Sequence, residues 1–153
     1  MRYTEDDIQI FDKRDHMGFV RSHPKMFLPH ENVSCGFFLG MMTDQVVSIT
    51  ETPILACRFQ DWWCLAATTD WIPETHLKDL PNYFQSMIAC PEWAINTVRF
   101  EIVMNVFLDD VFTFTQKETT LIKGELPAAE VIAEARKCSS DWQRILLFRK
   151  SNP

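Results

Sequence analysis

Hydrophobic positions in this chain recur at two periods, and each change of period marks a new element. From Ser34 onward, Phe37, Phe38, Met41, Met42, Gln45 and Val46 fall at helical spacing, which predicts an amphipathic helix ending near Ser48. Two shorter helical segments are expected before it. The first carries Ile8 and Phe11 behind the capping pattern Thr4-Glu5-Asp6-Asp7. The second carries Phe19 and Val20 and stops near Ser22, because Pro24 drives His23 out of the α region.

The period then drops to that of strands. Residues 54–59 and 62–69 are rich in apolar and β-branched or aromatic types and are separated only by Gln60-Asp61, so they predict a hairpin. Trp62 and Trp63 occupy successive positions and must point to opposite faces, so one enters the core and the other lies outside it or under a helix. An outer tryptophan left in solvent would join Trp71 and Trp93 as a partner surface; the favoured alternative is that residues 73–93 fold back over it. Pro73, Pro81 and Pro91 punctuate that stretch, which has room for one short helix at 82–87.

Asn96 or Thr97 can cap a helix running to about Leu108. Strands are predicted at 111–115 and 119–123, a helix at 128–137 behind Pro127, and a final strand at 144–149. The last run, Ile145-Leu146-Leu147-Phe148, is continuously apolar rather than alternating, which favours an inner place in the sheet. The expected fold class is α+β: one domain over 1–153, with a mostly antiparallel sheet of about five strands and helices packed mainly on one face.

On the helix at 97–110, a step of about 100° per residue puts Thr97, Glu101, Asn105 and Asp109 in one polar stripe, while Phe100, Ile102, Val103, Met104, Val106 and Phe107 fill the rest. The ordinary meaning of such a stripe is an edge that faces water or caps neighbouring backbone. Its chemical meaning is a carboxylate and an amide one turn apart, able to activate a water and to hold Mg²⁺ beside phosphates.

Composition narrows the options. The chain has 153 residues, 46% hydrophobic and 24% charged, as in ordinary globular domains. A net charge of -6 argues against a nucleic-acid-binding surface. No apolar run reaches the ~20 residues of a membrane span, and the acidic start is unlike a signal peptide, so no membrane partner is expected. The five cysteines (35, 57, 64, 90 and 138) are odd in number and show no CxxC spacing. That pattern argues against a disulfide framework and a zinc site, and favours the cytoplasm. His23, His30 and Glu31 flank a proline-bounded loop without a metal-ligand spacing, so no metal site is assigned. Cys90 has no adjacent cation to activate it, and no G-x-S-x-G string occurs.

Two segments carry a resemblance. Val20-Arg21-Ser22-His23-Pro24-Lys25-Met26-Phe27-Leu28-Pro29 resembles "VRKRPGMYIG" of the gyrase B-type (GHKL) ATPase domains, and residues 101–110 are similar to that family's "EIVDNSIDEA" motif. The resemblance implies a nucleotide-binding fold in which Glu101 is the general base, Asn105 binds Mg²⁺ and Asp109 supplies the acidic residue that follows. A second resemblance, to small bacterial proteins with an R-x-H/R-P-x-M/L-F/Y-L signature, spans most of the chain and implies the element order but no activity. The chain has no D-x-G-x-G string and only four glycines, so no glycine-rich lid over phosphates is expected.

The balance leans away from an enzyme. The expectation is a non-catalytic protein-binding or regulatory module with no cofactor and no catalytic residue, whose partner is another protein or a second copy of the chain. The alternatives are a degenerate nucleotide-binding domain using Glu101 and Asn105, and a self-associating structural protein.

Overall fold

The last strand of the chain lies in the middle of its sheet. In the computed structural model, which describes residues 15–138 and 141–151, the strands are β1 (Ile54–Phe59), β2 (Trp62–Ala67), β3 (Asp110–Phe114), β4 (Thr119–Lys123) and β5 (Arg144–Arg149). Their order is β1-β2-β5-β3-β4, and every neighbouring pair is antiparallel. The continuous apolar run of β5 follows from this position. Leu146 and Phe148 face one layer while Ile145 and Leu147 face the other, and all four are buried.

The helices are α1 (His16–Ser22), α2 (Pro24–Phe27), α3 (Cys35–Thr50), α4 (Leu80–Tyr83), α5 (Glu101–Phe107) and α6 (Ala129–Cys138). A 3₁₀ turn covers Glu74–His76. The capped segment expected around Ile8 and Phe11 lies outside the described residues. On the main face, α3 packs on β1 and β2, and α1 packs on α5. Their apolar side chains, including Val20, Phe38, Met42, Ile102 and Val103, close over Leu65, Val111, Leu146 and Phe148. On the opposite face Val131 and Ala135 of α6 meet Trp62, Cys64, Ala66, Phe112, Phe114, Ile145 and Leu147. The architecture is α+β, with the helices mainly on one face.

Both layers meet at charged pins. Arg144, 3% exposed, donates to Asp70 at 2.7 and 3.1 Å and to the Thr113 hydroxyl at 3.2 Å. Arg149 donates to Asp110 at 2.7 Å and to Asp61 at 2.9 Å, with its guanidinium 4.4 Å from the Trp62 ring centre. Trp62 is therefore the residue under α6, and Trp63 is half-buried against the main core. Among the described residues no helix is long and apolar enough to cross a membrane.

Candidate functional site

Helix α5 starts four residues later than its periodicity suggests, because the preceding backbone is claimed elsewhere. Val98 bridges Ala89, the Cys90 N–H donates to the Thr97 carbonyl at 2.9 Å, and the Arg99 N–H donates to the Ile88 carbonyl at 2.7 Å. Asn96 turns this short antiparallel pair with φ 62°. Thr97 thus leaves the stripe; its hydroxyl bonds to the Cys90 and Ala94 carbonyls.

Of the three remaining stripe residues, the two on the helix are not at a wet edge. Glu101 is 1% exposed and Asn105 3%, so the expectation of a water-facing edge is corrected: both lie in the interior. Glu101 Oε1 accepts from the Trp71 indole at 3.0 Å and the Tyr83 hydroxyl at 2.8 Å, while Oε2 accepts from the Gln45 amide at 2.9 Å. The Asn105 amide donates to the Phe84 carbonyl at 3.0 Å. One turn apart on α5, the carboxylate and the amide therefore hold the adjacent residues Tyr83 and Phe84, and pin the end of α4. The backbone-capping part of the ordinary reading is what Asn105 does. Asp109 lies beyond the helix and accepts from the Ser151 N–H at 2.5 Å.

Arg99 completes the cluster. It donates through Nη1 to the Trp71 carbonyl at 2.9 Å and to the Tyr83 oxygen at 3.3 Å, so the phenol accepts from the guanidinium and donates to the carboxylate. Burial pushes the Tyr83 phenol well above its ordinary pKa, and the Glu101 charge pushes it further. Burial pulls the Arg99 guanidinium down, but Tyr83 and Glu101 outweigh that effect and leave it raised. Three protein donors occupy most of the carboxylate's lone-pair positions, and a guanidinium lies nearby, so Glu101 ties three segments together.

The open concavity lies on the other side of α5. A cleft of about 480 Å³ is bounded by α1, α2, α3, α5 and residues 87–98. Phe19, Met26, Phe27, Met41, Met87, Trp93, Phe100 and Val103 make it largely apolar, with His16, Asn96 and Thr97 as polar members. Neither Glu101 nor Asn105 lines it. The Trp93 indole is fixed by a 2.7 Å bond to Asp44, and its ring stands edge-on to Phe100 at 6.3 Å. At the cleft, the lining residue Met26 is 51% exposed, and Ile95, next to the lining residue Asn96, is 87% exposed.

The other residues considered from sequence fall elsewhere. His23 stacks on Phe19 at 4.3 Å and its Nδ1 is 2.9 Å from the Phe19 carbonyl, whereas His30 is exposed. Cys90 is buried and its thiol pKa is raised by desolvation. Trp71 is buried on Glu101, and Trp93 is half-buried, so the tryptophans do not form one exposed patch. The cleft itself escaped sequence reasoning because its walls come from five separate segments. The one local signal was Met26, Met41 and Met87 recurring near aromatic residues.

Comparison of the chain with protein-family models, with curated proteins and with solved structures returned no match.

Proposed function

We propose that this protein is a non-catalytic binding module whose cleft receives the bulky apolar side chains of a partner protein's amphipathic segment. The observation that carries this is the composition of the cleft. Three methionines and five aromatic or aliphatic side chains form a concavity of the size that takes a compact apolar group. Methionine side chains adapt to the shape of an incoming residue, as suits a surface that grips side chains rather than reacting with them. The lining residue Met26 is half exposed and Ile95, next to the lining residue Asn96, is almost fully exposed, which suits a protein segment more than a ligand enclosed on all sides. The non-catalytic part is supported by the Glu101 carboxylate, which accepts from Gln45, Trp71 and Tyr83, and by the Asn105 amide nitrogen, which donates to the Phe84 carbonyl.

The test is selection of binders from a displayed library of random peptides, followed by titration of the selected sequence while intrinsic tryptophan fluorescence, to which Trp93 contributes, is recorded. Selected peptides should carry paired large apolar residues at helical spacing. Ala89→Trp, which fills the cleft from an exposed position, should weaken binding at least about tenfold. Leu126→Ala, at a remote exposed apolar residue, should leave it unchanged. Equal binding by wild type and Ala89→Trp would overturn the proposal.

A further inference from the structure

The β1–β2 hairpin holds a second feature that is independent of the cleft. Cys57 and Cys64 are direct register partners across the two strands. The hairpin closes through only two residues, Gln60 and Asp61, and the Thr68 N–H donates to the Pro53 carbonyl at 3.4 Å. Counting in steps of two from that bonded pair gives 55 with 66, 57 with 64 and 59 with 62 as the pairs joined by backbone hydrogen bonds. Such pairs have Cα atoms about 5.5 Å apart, inside the ~4.4–6.8 Å range that a disulfide spans. Both side chains project onto the α6 face, where Cys64 is fully buried and Cys57 is partly open at the edge strand.

We propose that Cys57 and Cys64 are a redox modification site, forming a reversible cross-strand disulfide when a peroxide is the oxidant. The Cys57 thiolate attacks one oxygen of hydrogen peroxide; the O–O bond breaks, hydroxide leaves and is protonated to water, and Cys57 becomes the sulfenic acid. The Cys64 sulfur then attacks the Cys57 sulfur, the S–O bond breaks, and a second water leaves with the Cys64 proton. Two thiols and one peroxide give one disulfide and two waters.

The roles follow from environment. A hydrogen bond from the Cys64 thiol lowers the Cys57 pKa, while that same bond and burial raise Cys64. Cys57 is therefore both the more exposed and the more readily ionised of the two, and Cys64 is placed to resolve it. The Cβ atoms of a hydrogen-bonded strand pair lie nearer ~5.5 Å than the ~3.5–4.5 Å of a relaxed disulfide. Closing the bond must tighten the hairpin, and a strained disulfide is easily reduced. The bond is thus suited to switching rather than to permanent bracing.

Peroxide treatment of the purified protein, alkylation of the remaining thiols and tryptic mapping test this directly, because cleavage after Arg58 separates the two cysteines. The expected product is peptide 26–58 linked to peptide 59–78, with fragmentation placing the alkyl group on Cys35 and the link on Cys57. Two of the five thiols should be lost, and reduced glutathione should restore them. Cys138→Ser should retain the link and Cys57→Ser should abolish it. Retention of all five thiols, oxidation that stops at Cys57 without a link, or a link from Cys57 to Cys138 or to a second chain would overturn the proposal.

Discussion

Gln45 and Glu101, fifty-six positions apart in sequence, meet side chain to side chain at 2.9 Å in the interior. The other end of the same amide accepts from the Phe100 N–H at 2.6 Å, so one residue of α3 both caps the start of α5 and satisfies its first carboxylate. Replacing Gln45 with Met keeps the volume but strands a backbone donor and a carboxylate oxygen. Each unsatisfied group costs about 1–3 kcal/mol. A loss of at least ~2 kcal/mol in urea unfolding is expected, with unchanged slope; a loss below ~0.5 kcal/mol would remove Gln45 from this role.

Tyr83 gives the network a pH signature. Its folded pKa is raised, so above the ordinary tyrosine value of about 10 the unfolded chain loses a proton that the folded chain keeps. Stability from this group is complete below pH ~10 and falls as pH rises beyond it. Tyr83→Phe should be less stable at pH 8, because Glu101 and Arg99 each lose a partner, yet should show a shallower decline between pH 10 and 11. Parallel slopes for the two proteins would contradict the placement of Tyr83.

Asp70 and Arg144 make a pair in which the cation is almost fully buried and the carboxylate is a quarter exposed. Removal of one member of a fully buried pair costs about 3–5 kcal/mol, and partial solvation of Asp70 reduces this to roughly 2–3 kcal/mol for Asp70→Ala. Adding Arg144→Met should recover much of that loss. A double variant that is less stable than Asp70→Ala would show that Arg144 acts mainly through Thr113.

Gly124 closes β4 with φ +76°, and a Cβ there would run into the Asp110 carboxylate and the Asp109 carbonyl. Gly124→Ala should therefore destabilise by more than the ~1 kcal/mol of a left-handed alanine alone. Thermal unfolding checks this. An unchanged midpoint would mean that the Asp110–Arg149 contact yields without cost.

Much of this fold was legible because burial writes itself into local periodicity. The uninterrupted apolar run at 145–148 identified an inner strand, and Gln60-Asp61 between two strand-like runs identified the hairpin. Helix α5 was legible as an element but not at its start, since the bridge between Ala89 and Val98 outcompetes helical propensity at 97–100. The Glu101–Asn105 stripe was visible, but its burial was not. A polar stripe looks the same whether it meets water or meets Gln45, Trp71, Tyr83 and Phe84, which arrive from distant segments. The Cys57–Cys64 pairing follows from the hairpin register alone, yet in a linear sequence each thiol passes for a small hydrophobe.

The engagement of the Glu101 carboxylate and of the Asn105 amide nitrogen bears on nucleotide binding as well. Titration with ATP and Mg²⁺ is expected to leave tryptophan fluorescence and the melting temperature unchanged, in wild type and in a surface control alike. Stabilisation that disappears in Asn105→Ala would instead favour the nucleotide-binding alternative.

Amide chemical-shift mapping with the library-selected peptide addresses the cleft most directly. Shifts are expected at Met41, Met87, Ala89, Val98 and the residues of α1 and α2, with Glu101 and Asn105 responding only weakly through the helix they share with Val103. Shifts centred on the β1 edge or on β4, with residues 87–98 silent, would contradict the assignment of the cleft as the binding surface.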